Sequence, residues 1–297
     1  MKPNALWETP VDERDFKLGS IVGHAQPKDL PDAYEVGAPI VIKDQGQGTD
    51  MCTAYALTAV SEDEEGVALD PFYTFGATKF ITGDKGGWGA DLRSAAKSAV
   101  AGSGPYGFLE AKDLSRLTEP ASMQDRDAAA DYTLITKAEE EEAKKHAKKS
   151  FFAVDGPYDL FDNMRSAMWQ TRSEKRSIFT GCNWRGSWTR GDGYIWDAPA
   201  EATFGHAVKA FGWFLGNGDA EGKEFIKLQL SNGKGIGIGG IFYIERLALN
   251  QAFSFGAFTF LDMPREDAQK AAEAAQASHT FFCTPSPFTR FLSRIHL

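Results

Sequence analysis

The hydrophobic period of this chain changes once, near residue 150, and that change limits the fold more than any other feature. Before it, apolar residues recur at helical spacing from Cys52 to about Glu65, over 71–82, and over 91–104, where Leu92, Ala95, Ala96 and Ala99 share a face and glycines stop the run. After it, residues 150–156, 176–181, 205–214, 225–231, 240–246 and 253–262 read as β-type runs bounded by glycine, preceded by one helix over 159–170. A helical half followed by an antiparallel β half is an α+β arrangement. No internal repeat is present.

The same pass sets boundaries. Residues 1–40, rich in Pro, Asp and Gly, read as an arm, 41–150 as the helical part and 151–262 as the β part. Residues 263–297 read as an alanine-rich helix (265–277) and a tail with Phe288, Phe291, Leu292 and Ile295 at helical spacing. The tail is expected to dock on the body or on a protein partner, since four apolar residues make a weak membrane anchor. Residues 110–136 read as a surface connection. Residues 139–149 read as a charged helix with Glu140–Lys144 and Glu141–Lys145 pairs and an exposed His146. The acidic end of the first helix, Glu62 to Glu65, opposes the helix dipole and is expected to be solvated.

Composition excludes several function classes. The net charge of −9 argues against a nucleic-acid or anionic-membrane surface. No apolar run reaches the length of a membrane span. The first residues contain no apolar h-region of a secretory signal. Three cysteines (Cys52, Cys182, Cys283) are no disulfide framework and fit a reducing compartment. No Cys/His cluster has zinc spacing and no calcium loop is present, so no metal is expected. The G-x-G-x-x-G over 235–240 is followed by a β run rather than a helix, so no dinucleotide cofactor is expected.

Chemistry concentrates at Cys52. It follows a Gly/Gln loop and opens a helical pattern, where the partial positive charge of a helix N-terminus favours the thiolate, the nucleophilic form. The alternative is a small buried hydrophobe at the start of a core helix. A thiol nucleophile needs a base and the base an orienting group. Of five histidines, only His206 sits in an ordered apolar run. Asn232 stands where a β run breaks into glycines, although Asn232-Gly233 also reads as a turn. His206 lies 154 residues after Cys52 and Asn232 lies 26 further. Cysteine, then histidine and asparagine roughly 130–150 residues on, is the order of papain-type enzymes.

The chain resembles papain-family (C1) cysteine peptidases, of the bacterial and phage type without a long propeptide. Residues 30–57, LPDAYEVGAPIVIKDQGQGTDMCTAYAL, resemble the family's opening segment. Residues 86–107 resemble its glycine-rich wall and following helix, 204–213 its Gly-His-Ala-Val strand, and 228–244 its asparagine segment. The resemblance implies a two-lobed fold with a helical N-terminal lobe and an antiparallel, β-barrel-like C-terminal lobe. It implies Cys52 as nucleophile, His206 as base and Asn232 as orienting amide. It implies a Cys-His-Asn peptidase acting through an acyl-enzyme on a peptide or protein substrate. The family's oxyanion glutamine falls at Gly46, and a one-residue insertion restores Gln45, with Gln47 in reserve. Gly86, Gly87 and Trp88 would line the substrate groove.

Three departures stand out. The structural cysteine before the nucleophile is absent, Asp50 lies beside Cys52, and Gly233 replaces the tryptophan that shields the His–Asn pair, leaving Trp184, Trp188 and Trp213 as substitutes. They motivate a rival: a degenerate papain-like module kept for binding or structure, for example in a phage particle. A second rival is a cell-wall amidase of the NlpC/P60 type, which shares the Cys-then-His order. The location expected is cytoplasmic or virion-associated, with virion or other protein partners reached through the C-terminal tail.

Overall fold

The computed structural model describes residues 6–9, 12, 15–100, 102–189, 191–201, 203–264, 266–271, 273 and 274. The tail beyond, with Cys283, His279 and His296, lies outside the described residues.

The arm supplies α1 (Leu18–Val22) and β1 (Ala33–Glu35). Three core helices follow: α2 (Cys52–Glu65), α3 (Pro71–Thr82) and α4 (Leu92–Ala99). Local chemistry marks their ends. Asp70 accepts from the Phe72 and Tyr73 amides before Pro71 at the first turn of α3, Asp91 accepts from Ser94 N, and left-handed Gly66 and Gly83 close α2 and α3. Helix α4 is shorter than its pattern, because Val100 turns extended and bridges Lys148, whose N–H bonds Ala99 O at 2.8 Å. The expected surface connection contains α5 (Ser115–Thr118) and α6 (Met123–Ala130), the latter opened by a Ser122/Asp125 capping box.

Helix α7 (Lys137–Ala143) gives way to a 3₁₀ turn at Lys144. That tightening pairs Lys144 with Glu141 and Lys145 with Glu142, both at 2.6 Å, in place of the expected i,i+4 pairs. His146 is half-buried rather than exposed, its Nδ1 2.8 Å from Glu65 Oε2.

The second half contains β2 (Ser150–Ala153), α8 (Leu160–Gln170), β3 (Ile178–Arg185), α9 (Gly186–Thr189), β4 (Tyr194–Ile195), β5 (Thr203–Leu215), β6 (Glu224–Gln229), β7 (Ile241–Glu245), α10 (Arg246–Ala252) and β8 (Ala257–Leu261). They form one sheet in the order β2-β8-β3-β5-β6-β7-β4, and β1 joins β5. Among the named strands, all described pairings are antiparallel except β4 with β7. The α+β expectation holds, but the sheet is not a closed barrel: its ends, β2 and the two-residue β4, do not pair.

Strand alternation divides the core between the two faces of the sheet. Ile178, Cys182, Trp184, Val208 and Trp213 pack with Phe161, Met164 and Met168 of α8. Phe179 and Ala207, one residue out of step, pack with Cys52, Ala56, Leu57 and Val60 of α2 and with Leu92 to Ala99 of α4. Helix α2 is thus clamped on β5. The expectation of a solvated acidic end fails there. Lys43 Nζ meets Glu62 Oε1 at 2.6 Å and Lys209 Nζ meets Asp63 Oδ1 at 2.5 Å, all four side chains buried. Lys148 meets Glu64 and Glu65 at 2.6 and 2.5 Å. The lysines arrive from outside the helix, and burial on the sheet requires the carboxylates to be paired; Glu62 also accepts from Leu69 N and Glu65 also meets His146.

Candidate active site

Cys52 is the first residue of α2 and has no exposed surface. The loop before it is shaped by backbone that side chains disfavour. Gly46 has φ of 73°, and a Cβ there would lie 1.9 Å from Ala121 O, while Asp50 is itself left-handed with φ of 58°. Met51, not Asp50, is the N-cap of α2, and no side chain caps the helix. Thr49 Oγ1 donates to Gln45 O at 2.5 Å.

This loop is bonded directly to the asparagine segment. Gln45 N donates to Ser231 O at 2.7 Å, Gly233 N donates to Lys43 O at 3.0 Å, and Asp44 bridges Asn232. Gly233 has φ of 75°, and a Cβ there would lie 2.6 Å from Asp44 Oδ2, so a tryptophan has no room at this position. Of the three substitutes, Trp184 lies against His206: its ring centroid is 5.6 Å from that of the imidazole at 62°, and its Nε1 donates to Thr189 Oγ1 at 2.9 Å. Trp188 packs edge-on against Trp184, while Trp213 packs against Tyr34 and Trp169 instead.

Gln45, His206 and Asn232 line one cavity of about 1100 Å³, together with Asp44, Gln47, Asp50, Trp88, Met123 and Phe204. Gln45 is buried and its Oε1 has no hydrogen-bond partner, whereas Gln47 is exposed at the lip. His206 is buried and its Nε2 is also unpartnered. Among the described residues no hydrogen bond joins Asn232 to His206; they share the wall. Ala207, next along from His206, packs in the same apolar cluster as Cys52. Trp88 lines the cavity, but Gly86 and Gly87 do not. The space a Cβ would take is held by Asp84 at Gly86 and by Arg126 and Asp127 at Gly87.

Burial governs the electrostatics. It pushes the Cys52 thiol up to about 12, with the Asp50 charge adding and the amides of Ala207, Thr53 and Cys52 itself opposing. Burial alone pulls His206 down to about 4. The sequence expectation of an easily ionised thiol is reversed, and near neutral pH both groups are uncharged. The lining carries two carboxylates, Asp44 and Asp50, and no lysine or arginine.

Sequence reasoning missed Leu6. Fully buried, it packs in the same cluster as Cys52 and Ala207. A Cβ on Gly205, the residue before His206, would lie 2.5 Å from Leu6 O, and one on Gly181 would lie 2.3 Å from Leu6 Cδ2. Trp7 N donates to Ala90 O at 3.1 Å, so the arm pairs with the chain just beyond Trp88. Gly181 on β3 and Gly205 on β5, two residues out of register with each other, are the signal the sequence contains.

No family model matches the chain, and no curated protein matches it. Solved structures do. Xylellain, a cysteine protease from Xylella fastidiosa, superposes with a TM-score of 0.68 at 17% identity, over 88% of this chain and 96% of that one. Digestive procathepsin L 3 of Tenebrio molitor larval midgut gives 0.61 at 14%, over 86% and 76%. The bromelain protease from Ananas comosus, solved in complex with the E64 inhibitor, gives 0.52 at 15%, over 78% and 99%. The fold is that of the papain-like cysteine proteases.

Proposed function

We propose that the chain is a cysteine peptidase. The observation that carries this reading is the convergence of Gln45, His206 and Asn232 on one cavity, in a papain-like fold, above a helix that begins with Cys52. Cys52 Sγ attacks the substrate carbonyl carbon as His206 takes the thiol proton. His206 then protonates the leaving amine, and a thioester acyl-enzyme remains. Water, deprotonated by His206, attacks that thioester, releasing the carboxylate product and regenerating the thiol. The Cys52 amide and the Gln45 side chain donate to the developing oxyanion, and Asn232 orients the imidazole once the cleft is filled.

Casein hydrolysis by wild type, Cys52→Ala and His206→Ala tests this. Loss of at least a thousandfold in each variant, with folding retained by circular dichroism, is expected; turnover unchanged in Cys52→Ala overturns it.

A second reading, a papain-like binding module without catalysis, is favoured by the uncharged Cys52–His206 pair and by the missing Asn232–His206 hydrogen bond. It requires Cys52 to alkylate no faster than Cys182 under all conditions, even with the arm displaced.

A further inference from the structure

Asp63 and Lys209 form an ion pair between the helix that begins with Cys52 and the strand that carries His206. Lys209 Nζ donates to Asp63 Oδ1 at 2.5 Å, and the two side chains are 1% and 2% exposed. Asp63 stands eleven residues after Cys52 on α2. Lys209 stands three residues after His206 on β5. Alternation along β5 sends Val208 and Ala210 to the cluster under α8, and Ala207 to the cluster that holds Cys52. Lys209 follows Ala207 on the face toward α2. Neither Asp63 nor Lys209 lines the cavity.

The other contact of β5 with α2 is apolar, with Ala207 in the cluster of Cys52, Ala56, Leu57 and Val60. Apolar contact is non-directional, so it fixes the spacing of two layers better than their position along each other. An ion pair in a dry setting is directional, and parting it leaves two charges out of water without a partner. The neighbouring links differ. Lys148 and Arg176 meet Glu64, one residue on, but that carboxylate is 31% exposed and its partners lie outside β5. Lys43 ties Glu62 to the loop before α2 rather than to the sheet. The β5–β6 ladder also shifts register between Ala210 and Gly212, just beyond Lys209, so backbone pairing is least regular next to the pair.

We propose that Asp63 and Lys209 are positioning residues for catalysis: their ion pair sets the place of α2 along β5 and thereby holds Cys52 in register with His206. The inference deepens the peptidase reading and rests on it. It predicts a loss in the bond-breaking step rather than in substrate affinity, because a displacement of about 1 Å between reacting groups costs roughly a hundredfold in rate.

The test uses full-length protein, in wild-type and Leu6→Asp backgrounds. One variant has an apolar pair, Asp63→Leu with Lys209→Met. Another has the charges exchanged, Asp63→Lys with Lys209→Asp. The first readout is kcat and KM on an internally quenched fluorescent octapeptide. The second is cross-linking by 1,3-dibromoacetone, which joins a thiol to an imidazole only when both lie within its three-carbon reach. Peptide mapping gives the share of alkylated Cys52 that is joined to His206, and this needs no turnover. The apolar pair is expected to keep the wild-type melting temperature, since well-packed apolar side chains replace a buried ion pair without loss of stability. Its kcat falls at least thirtyfold, KM stays within threefold, and the cross-linked share falls at least fivefold. The exchanged pair restores both quantities to within threefold of wild type. If the apolar pair does not fold, Asp63→Asn replaces it with the same thresholds for kcat and cross-linking. Unchanged kcat and cross-linking per folded chain overturn the proposal, whatever happens to the melting temperature. So does an exchanged pair that folds yet is as impaired as the apolar one. If wild type cross-links without cutting the peptide, the peptidase reading fails and the cross-linked share alone decides the role of the pair. If wild type gives no cross-link in either background, the proposal is wrong.

Discussion

At the residue scale, the contest at Cys52 is between a helix N-terminus and burial. The helix end favours the thiolate by at most about 2 kcal/mol, whereas full burial moves a pKa by up to roughly 3–5 units. Burial wins, and the thiol lies at about 12. The same burial holds His206 at about 4, which has a consequence for stability. Its folded-state value is depressed below 6.5, so its contribution is complete above pH 6.5 and is lost as pH falls through 4. The displacement corresponds to roughly 3 kcal/mol. Urea unfolding of His206→Gln should show a flatter pH dependence between 6.5 and 4 than wild type; identical slopes would mean that the imidazole is hydrated in the folded chain. The two glutamines separate by their settings. Gln45→Ala should lower kcat by about 10²–10³, the cost of one oxyanion donor, while Gln47→Ala at the exposed lip stays within a few fold. Equal losses would remove Gln45 from the oxyanion role.

At the scale of elements, the arm is the unexpected part. It gives β1 to the sheet, seats Leu6 between Gly181 and Gly205, and ties Asp15 to Arg93 in a largely buried ion pair. Thr9 Oγ1 accepts from Leu92 N at 3.2 Å, at the start of α4. An apolar plug in the cluster that holds Cys52 keeps water from it, and water is what would return the thiol toward its free value. Leu6→Asp should therefore accelerate iodoacetamide modification of Cys52 at pH 8 at least tenfold, located by peptide mapping against Cys182 as the internal reference. If both cysteines keep their wild-type rates, the arm does not guard the site. Helix α2 shows a related principle. Its acidic end looks unfavourable in isolation, yet Glu62 receives Lys43 Nζ and also accepts from Leu69 N at 2.8 Å. Such buried pairs are costly to break singly, about 3–5 kcal/mol, because the partner is left charged and dry.

At the scale of the molecule, the helical part and the sheet share one apolar cluster, in which α2 and α4 meet β3, β5 and β8. Units that share a core do not unfold separately. Guanidinium unfolding followed by tryptophan fluorescence, to which the β half contributes five of the seven tryptophans, should coincide with far-UV circular dichroism, which is dominated by the helices. Two separated midpoints would mean that the halves are independent.

The α+β class, the limits of α2 and α3 and the six longer strands were legible because their signals are local: period, caps and glycine stops act within a few residues. Cys52 was nameable from its place at a helix start, His206 and Asn232 from order and spacing, and Gln45 from the family resemblance; the last three line one cavity, and Cys52 opens α2. What the sequence could not decide depends on contacts between residues far apart. The ionisation of Cys52, the choice of Trp184 over Trp188 and Trp213, the fate of Glu62 and Asp63, and the seat of Leu6 against Gly205 all follow from burial and pairing between residues of separate elements. Desolvation is a property of the assembled environment, and no stretch of sequence contains it until the rest of the chain has packed around it.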